Sequence, residues 1–280
     1  MLTRRHLLKL TGAVVASEAV PARASDSPPG IIDTNVNLFA WPFRRLPLDS
    51  TDVLVQKLRA LGIRQAWAGS FEGLLHRDIA TVNQRLADGC RPYPELLPVG
   101  SINLGLPGWR DDVRRCVDRH RMQIIRLHPN YHDYALLDAA FPKLLQLADE
   151  ENLIVQIAVA MEDVRTQHPQ MQVPDVDLQP VLRLKKTFPN VRFQLLNHRL
   201  RLPLLQQLAE LPNVYFDTAR VDGTDGVPNL VKGVPEGRVL YGSHAPFLIP
   251  QAAMIRVHES GRLTPSDLQN VYRNNASGLL

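Results

Sequence analysis

The residues of this 280-residue chain best suited to chemistry sit at the ends of short apolar runs. Asn35 and Asn37 close "IIDTNVNL", Arg126 and His128 fall in "IIRLHPNY", and Gln156 lies in "LIVQIAV". Further on, "LLNHR" carries Asn197 and His198, "FDTAR" carries Asp217 and Arg220, and "YGSHAPF" carries Ser243 and His244. An imidazole with its usual pKa of about 6.5 can take a proton from water, so His244 is a candidate general base that His128 or His198 would assist. Asn35 and Asn37 are two apart and share one face of a strand, where their amides can hold an oxyanion or position a substrate. Arg44, Arg126, Arg199 and Arg220 can clamp a carboxylate through paired N–H groups, which points to a small anionic substrate; otherwise they are loop charges and structural ion pairs. Asp217 is placed either to orient an active histidine or to cap the "TAR" that follows it.

Side chains so far apart in sequence need a scaffold that brings strand ends together. Candidate strands are Ile31 to Val36, Ile63 to Ala68, Leu96 to Ile102, Gln123 to Leu127, Ile154 to Val159, Val191 to Leu196, Val214 to Asp217 and Arg238 to Tyr241. Between them lie amphipathic stretches such as "STDVLVQKLRALG" and "DAAFPKLLQLADEEN", with apolar residues three and four apart and candidate caps at Ser50 and Asp138. Eight strand and helix pairs in about 250 residues match an α/β fold of the (β/α)8 TIM-barrel type, in which active sites lie at the C-terminal ends of the strands. A doubly wound open sheet would carry a glycine-rich phosphate turn after its first strand, and none is present. Three histidines, His128, His198 and His244, then fall on one rim.

In order along the chain, these motifs resemble the amidohydrolase-related, family-2 metal-dependent hydrolases. "IIDTNVNL" is similar to their "DxHxH" first strand, "IIRLHPNY" to their fourth-strand end and "LLNHR" to their sixth-strand histidine. "RVLYGSHAPF" is similar to their eighth-strand "GSDxP" segment, and "NVYRNNASGLL" to their closing helix. The resemblance spans residues 31–280 and implies an amidohydrolase-like TIM barrel. It also implies a divalent ion, such as zinc, on the first-strand histidines, a histidine of strand five or six and the eighth-strand aspartate. Here those positions hold Asn35, Asn37, Gln156 and His244, and His198 alone matches. A neutral amide oxygen is a poor zinc ligand beside imidazole or carboxylate, so the metal is left unassigned. Three readings follow: a hydrolase of a small lactone, ester or amide with a rearranged or absent metal; a decarboxylase-type lyase on the same barrel; or a non-catalytic barrel that binds a metabolite.

Two loops border the expected site. "FAWPFRRLP" alternates Phe39, Trp41 and Phe43 beside Arg44 and Arg45, as a pocket wall or a packing loop. "AMEDVRTQHPQMQVPDVDL" holds Glu162, Asp163, Arg165 and His168, as a lid or simply with Asp163 and Arg165 as a surface pair.

The chain is 45% hydrophobic and 21% charged, which suits one α/β domain with a sizeable core. The net charge is +4, yet residues 1–24 contain Arg4, Arg5, Lys9 and Arg23 against Glu18, so the remainder is nearly neutral. No basic patch interleaved with aromatics appears, which argues against nucleic acid as a partner and for a small molecule; a homo-oligomer stays open. "TRRHLLKLTGAVVASEAVPARA" resembles a twin-arginine export signal ending at Ala24, followed by a linker at residues 25–30, and implies a periplasmic protein without a stable membrane anchor. Cys90 and Cys116 pair only if the fold brings them within disulfide reach.

Overall fold

The computed structural model describes residues 30–280, so the export segment and most of the linker lie outside the described residues. Among the described residues, nine parallel strands carry the fold: β1 (Ile31–Leu38), β2 (Ile63–Ser70), β3 (Leu96–Pro98), β4 (Gly100–Ile102), β5 (Ile124–Leu127), β6 (Ile154–Ala158), β7 (Arg192–Leu196), β8 (Val214–Asp217) and β9 (Val239–Leu240). They form two ladders, β1-β2-β3 and β4 through β9 in order. The third expected strand is cut in two at Val99, whose N–H still donates to the Ala68 carbonyl (2.9 Å). At the other seam, Thr34 N–H donates to Tyr241 O (2.9 Å), Asn37 N–H donates to Ala245 O (2.8 Å), and Val36 bridges Ala245. Eight barrel strands therefore close into a ring, as the alternation predicts.

Helices α1 (Thr51–Ala60), α2 (Ile79–Cys90), α3 (Trp109–Arg114), α4 (Ala140–Glu150), α5 (Gln179–Thr187), α6 (Leu204–Ala209) and α7 (Gly226–Gly233) connect the strands, and α8 (Pro250–His258) follows β9. Each lays an apolar stripe on the barrel; in α4 the stripe is Phe141, Leu144, Leu145 and Ala148. Two short helices, α9 (Pro265–Gln269) and α10 (Asn275–Ser277), end the chain. Ser50 occupies the N-cap of α1 without a side-chain bond. Asp138 is not the cap of α4: Ala139 holds that place, and the Asp138 carboxylate accepts from Ala135 N–H (2.9 Å) in the preceding turn. Cys90 and Cys116 are buried free thiols, whose desolvation pushes both pKa values up to about 12. Among the described residues, no helix is long and apolar enough to cross a membrane.

Candidate functional site

The site begins with an irregularity in β1. All eight of its residues are buried, and its pairing with β2 slips between Asp33 and Val36. Such a bulge breaks the strict alternation of faces, so neighbouring side chains reach the same interior. Thr34 Oγ accepts from Gln194 Nε2 (2.6 Å), and the Asn35 amide donates to Asn197 Oδ1 (2.8 Å) and Asp217 Oδ2 (2.7 Å). Asn37 Oδ1 accepts from Arg126 (2.7 Å).

Arg126, Gln156 and Gln194 stand side by side on β5, β6 and β7, giving a polar layer where barrels usually hold branched apolar residues. Arg126 donates from Nε to Gln156 Oε1 (2.8 Å) and from one terminal nitrogen to the Val36 carbonyl (3.1 Å) as well as to Asn37. Gln156 passes the chain on to Thr34 O (2.9 Å) and Gln194 Oε1 (2.8 Å). Space for the guanidinium comes from Gly69, where an added Cβ would lie 2.5 Å from the Arg126 nitrogen. Burial lowers the Arg126 pKa to about 9, with Asp217 and Asp33 opposing the fall, so the group stays cationic near neutrality. Arg126, expected to clamp a substrate, gives its hydrogen bonds here to the barrel's own acceptors.

Asp217 ends β8 and is fully buried. Its carboxylate accepts from Asn35 and from Asn197 N–H (3.0 Å), so it orients an asparagine rather than a histidine ring. Desolvation raises its pKa to about 7 against those bonds, and raises the neighbouring Asp33 to about 6.

The three rim histidines are buried and neutral. His128 follows β5, and burial, with His132, Arg126 and His244 nearby, holds its pKa well below the usual value. His198 follows β7; burial lowers it to about 4, and the adjacent Asp217 carbonyl raises it only in part. Among the described residues, neither ring nitrogen of His128 or His198 has a hydrogen-bond partner. His244 is 0% exposed, and its Nε2–H donates to the Met161 carbonyl (2.8 Å), leaving Nδ1 unpartnered. Burial brings its pKa down to about 3, far from the ordinary imidazole value on which a general-base role was argued. His244, Asn197 and Phe39 all have φ between 56 and 68°, a left-handed backbone that costs a non-glycine residue about 1 kcal/mol or more and that gathers at functional sites.

An aromatic plug covers this chamber. The Trp41 ring packs edge-on against Phe43, Phe71 and Phe247 at 5.0–5.4 Å, and Phe247 stacks on His244 at 5.0 Å. Arg44 sits over Phe247 (4.9 Å) and pairs with Glu162 (3.1 Å), so it clasps two loops at the mouth. The first loop is thus wall and packing at once. Asp163 pairs with Arg165 (2.8 Å), as the surface-pair reading has it, and reaches further to Arg199 (3.1 Å) and Arg220 (3.8 Å).

Divalent metals of the kind the resemblance implies need imidazole or carboxylate donors aimed at one point. Here the oxygens of Asp217, Asn197 and Asn37 that could face a cation accept instead from Asn35 and Arg126. Among the described residues, no three His, Cys, Asp or Glu side chains are grouped to hold an ion. The residues present do not fit a divalent metal site.

No protein-family model matches the sequence, and no curated protein does. Solved structures do match. A dihydroxybenzoic acid decarboxylase from Polaromonas, determined with bound manganese and the inhibitor 2-nitroresorcinol, has a TM-score of 0.72 at 14% identity, covering 90% of this chain and 96% of its own. This chain has the amidohydrolase-type (β/α)8 fold. A 2,6-dihydroxybenzoate decarboxylase complexed with 2,6-dihydroxybenzoate superposes with a TM-score of 0.69 at 15% identity, over 90% and 99% of the two chains. An amidohydrolase II protein gives 0.67 at 15%, over 89% and 99%. At such identities the likeness is one of fold, and what the amidohydrolase-type barrel does here rests on its own side chains.

Several residues of the chamber escape sequence reasoning. Asp33 lies two before Asn35 in the same quoted stretch, so its signal was there to read. Thr34 was hidden by the bulge, and Met161 acts through a main-chain carbonyl that no residue type announces. His132, whose Nε2–H donates to the Gly73 carbonyl (2.8 Å), follows its strand by too many residues to mark a strand end.

Proposed function

We propose that this barrel removes the carboxyl group of a small carboxylic acid, as a decarboxylase-type lyase. The observation that carries the reading is a buried polar barrel centre in which the neutral His198 ring lies beside Asp217, a carboxyl group raised to about 7 and so in part protonated near neutrality. Losing carbon dioxide disperses the charge of a carboxylate, which a desolvated chamber favours over a wet one. The carbon left behind needs a proton, and Asp217 is the buried group whose raised pKa lets it give one at neutral pH. The C–C bond breaks, its electron pair stays on carbon, the Asp217 proton joins that carbon, and solvent restores the proton afterwards. Structures of decarboxylases among the fold neighbours support the same choice.

Hydrolysis is the weaker reading. It needs a base able to deprotonate water near neutrality, and His244, lowered to about 3, is a poor one. The test offers hydroxylated and plain aromatic acids and measures carbon dioxide release, with lactones and esters offered in parallel. Release is expected from at least one acid, and Asp217→Asn should lower kcat about a hundredfold or more while acid binding persists. Hydrolysis without carbon dioxide release overturns the lyase in favour of the hydrolase. Acid binding without either reaction leaves a binding barrel. We also propose, from Arg4 and Arg5, that the chain is exported; cell fractionation with both replaced by lysine should retain it in the cytoplasm.

A further inference from the structure

We propose that the cavity between α6 and α7 binds the carboxylate of a small apolar acid, so that the ligand approaches the barrel from the side, between its sixth and seventh strand-helix units. The inference rests on the lyase reading for the ligand being an acid, and it adds where that acid is held. The cavity measures ≈ 510 Å³ and is walled by Leu202, Leu205 and Leu230, with His198, Arg199 and Arg220 supplying the polar side. Its size falls within the roughly 300–1,000 Å³ common for small-molecule sites.

Two of these polar groups are built for a ligand. Arg220 is 7% exposed, and one terminal nitrogen has no hydrogen-bond partner among the described residues. Its contact with Asp163, at 3.8 Å, is too long for a hydrogen bond. His198 is 3% exposed; the Asp217 carbonyl lies close to its ring, but neither nitrogen makes a hydrogen bond of ordinary geometry. Asp175, Asp163 and Asp222 offset part of the cost of burying the Arg220 guanidinium, yet none bonds its unpartnered nitrogen, and a carboxylate is the group that matches the fork. The neutral His198 ring can add one N–H to the same anion. Asp222 also borders the cavity but is exposed and turned to Arg256 (3.5 Å). The approach along the barrel axis is blocked by Trp41, Phe71 and Phe247, whereas this cavity reaches His198 from outside that plug. Asp163, reaching over from the loop after β6 to Arg199 and Arg220, acts as an internal carboxylate that competes for the same cations.

Isothermal titration of the full chain with benzoate tests this. Saturable binding at one site per chain is expected, weakened at least about tenfold in Arg220→Met and tightened in Asp163→Asn, where the internal competitor loses its charge. Asn229→Trp, an exposed helix position on the cavity wall that leaves the buried residues intact, should abolish binding by filling the space. Failure of the parent to bind benzoate saturably, or binding that Arg220→Met and Asn229→Trp leave unchanged, overturns the proposal. The two readings fail separately. Benzoate binding that Asn229→Trp removes, with no carbon dioxide released from any acid, sinks the lyase and keeps the cavity. Carbon dioxide release that Asn229→Trp does not slow sinks the cavity and keeps the lyase.

Discussion

His244 keeps its ring hydrogen on Nε2 against the Met161 carbonyl, so Nδ1 presents the lone pair. The lowered pKa values of His128, His198 and His244 have a thermodynamic consequence. The unfolded chain takes up protons on these rings below about pH 6.5, whereas the folded chain does so only at lower pH, near 4 at His198 and near 3 at His244, so stability rises with pH across that window. His132 acts in the same sense. Asp33 and Asp217 act oppositely: raised to about 6 and about 7, they bind protons more tightly when folded, and stability falls as pH rises through those values. His244→Gln keeps a donor for the Met161 carbonyl but removes one proton uptake. Urea unfolding between about pH 4.5 and 6 should therefore show its stability rising less steeply than the parent's, by about 1.4 kcal/mol per pH unit. The sequence made the three histidines and Asp217 visible, because a polar residue ending an apolar run is conspicuous. Their protonation was not visible, since desolvation depends on what the fold lays over them, and Arg126 read as a ligand clamp because its acceptors come from three other strands.

At the level of elements, the strands were legible nearly to the residue, since β-branched runs in a parallel barrel are buried on both sides and read as continuous apolar stretches. The break at Val99 and the slip in β1 were not, because both are decided by register with neighbouring strands. The loops hold the dynamic part of the molecule. Arg44 ties the β1 loop to the β6 loop through Glu162 and Phe247, and its side chain is 46% exposed. Exposed pairs and cation–π contacts are weak, so Arg44→Met should cost about 1 kcal/mol or less of global stability. Hydrogen exchange is the sharper measurement: residues 39–47 and 161–167 should exchange faster, while the β5 to β7 ladder keeps its protection. Equal protection of both loops in the variant would mean that the aromatic plug holds without its clasp.

For the whole molecule, the donor chemistry of the barrel centre sets an expectation that differs from the manganese-bound neighbours. Elemental analysis of purified protein should find well under one zinc or manganese per chain, and EDTA should leave the melting temperature unmoved; near-stoichiometric metal would show that Asn35 and Arg126 yield their acceptors to an ion. The fold itself was read from eight alternations, while the centre was not, since one sequence names the residues at the ligand positions but not which of them bond to one another. Gly69 and Arg126 carry a consequence for substitution. A Cβ at position 69 would lie 2.5 Å from the Arg126 nitrogen, so any larger residue there displaces the guanidinium from its place beside Asn37. A change on the second strand would thus be felt as a lost hydrogen bond to the first.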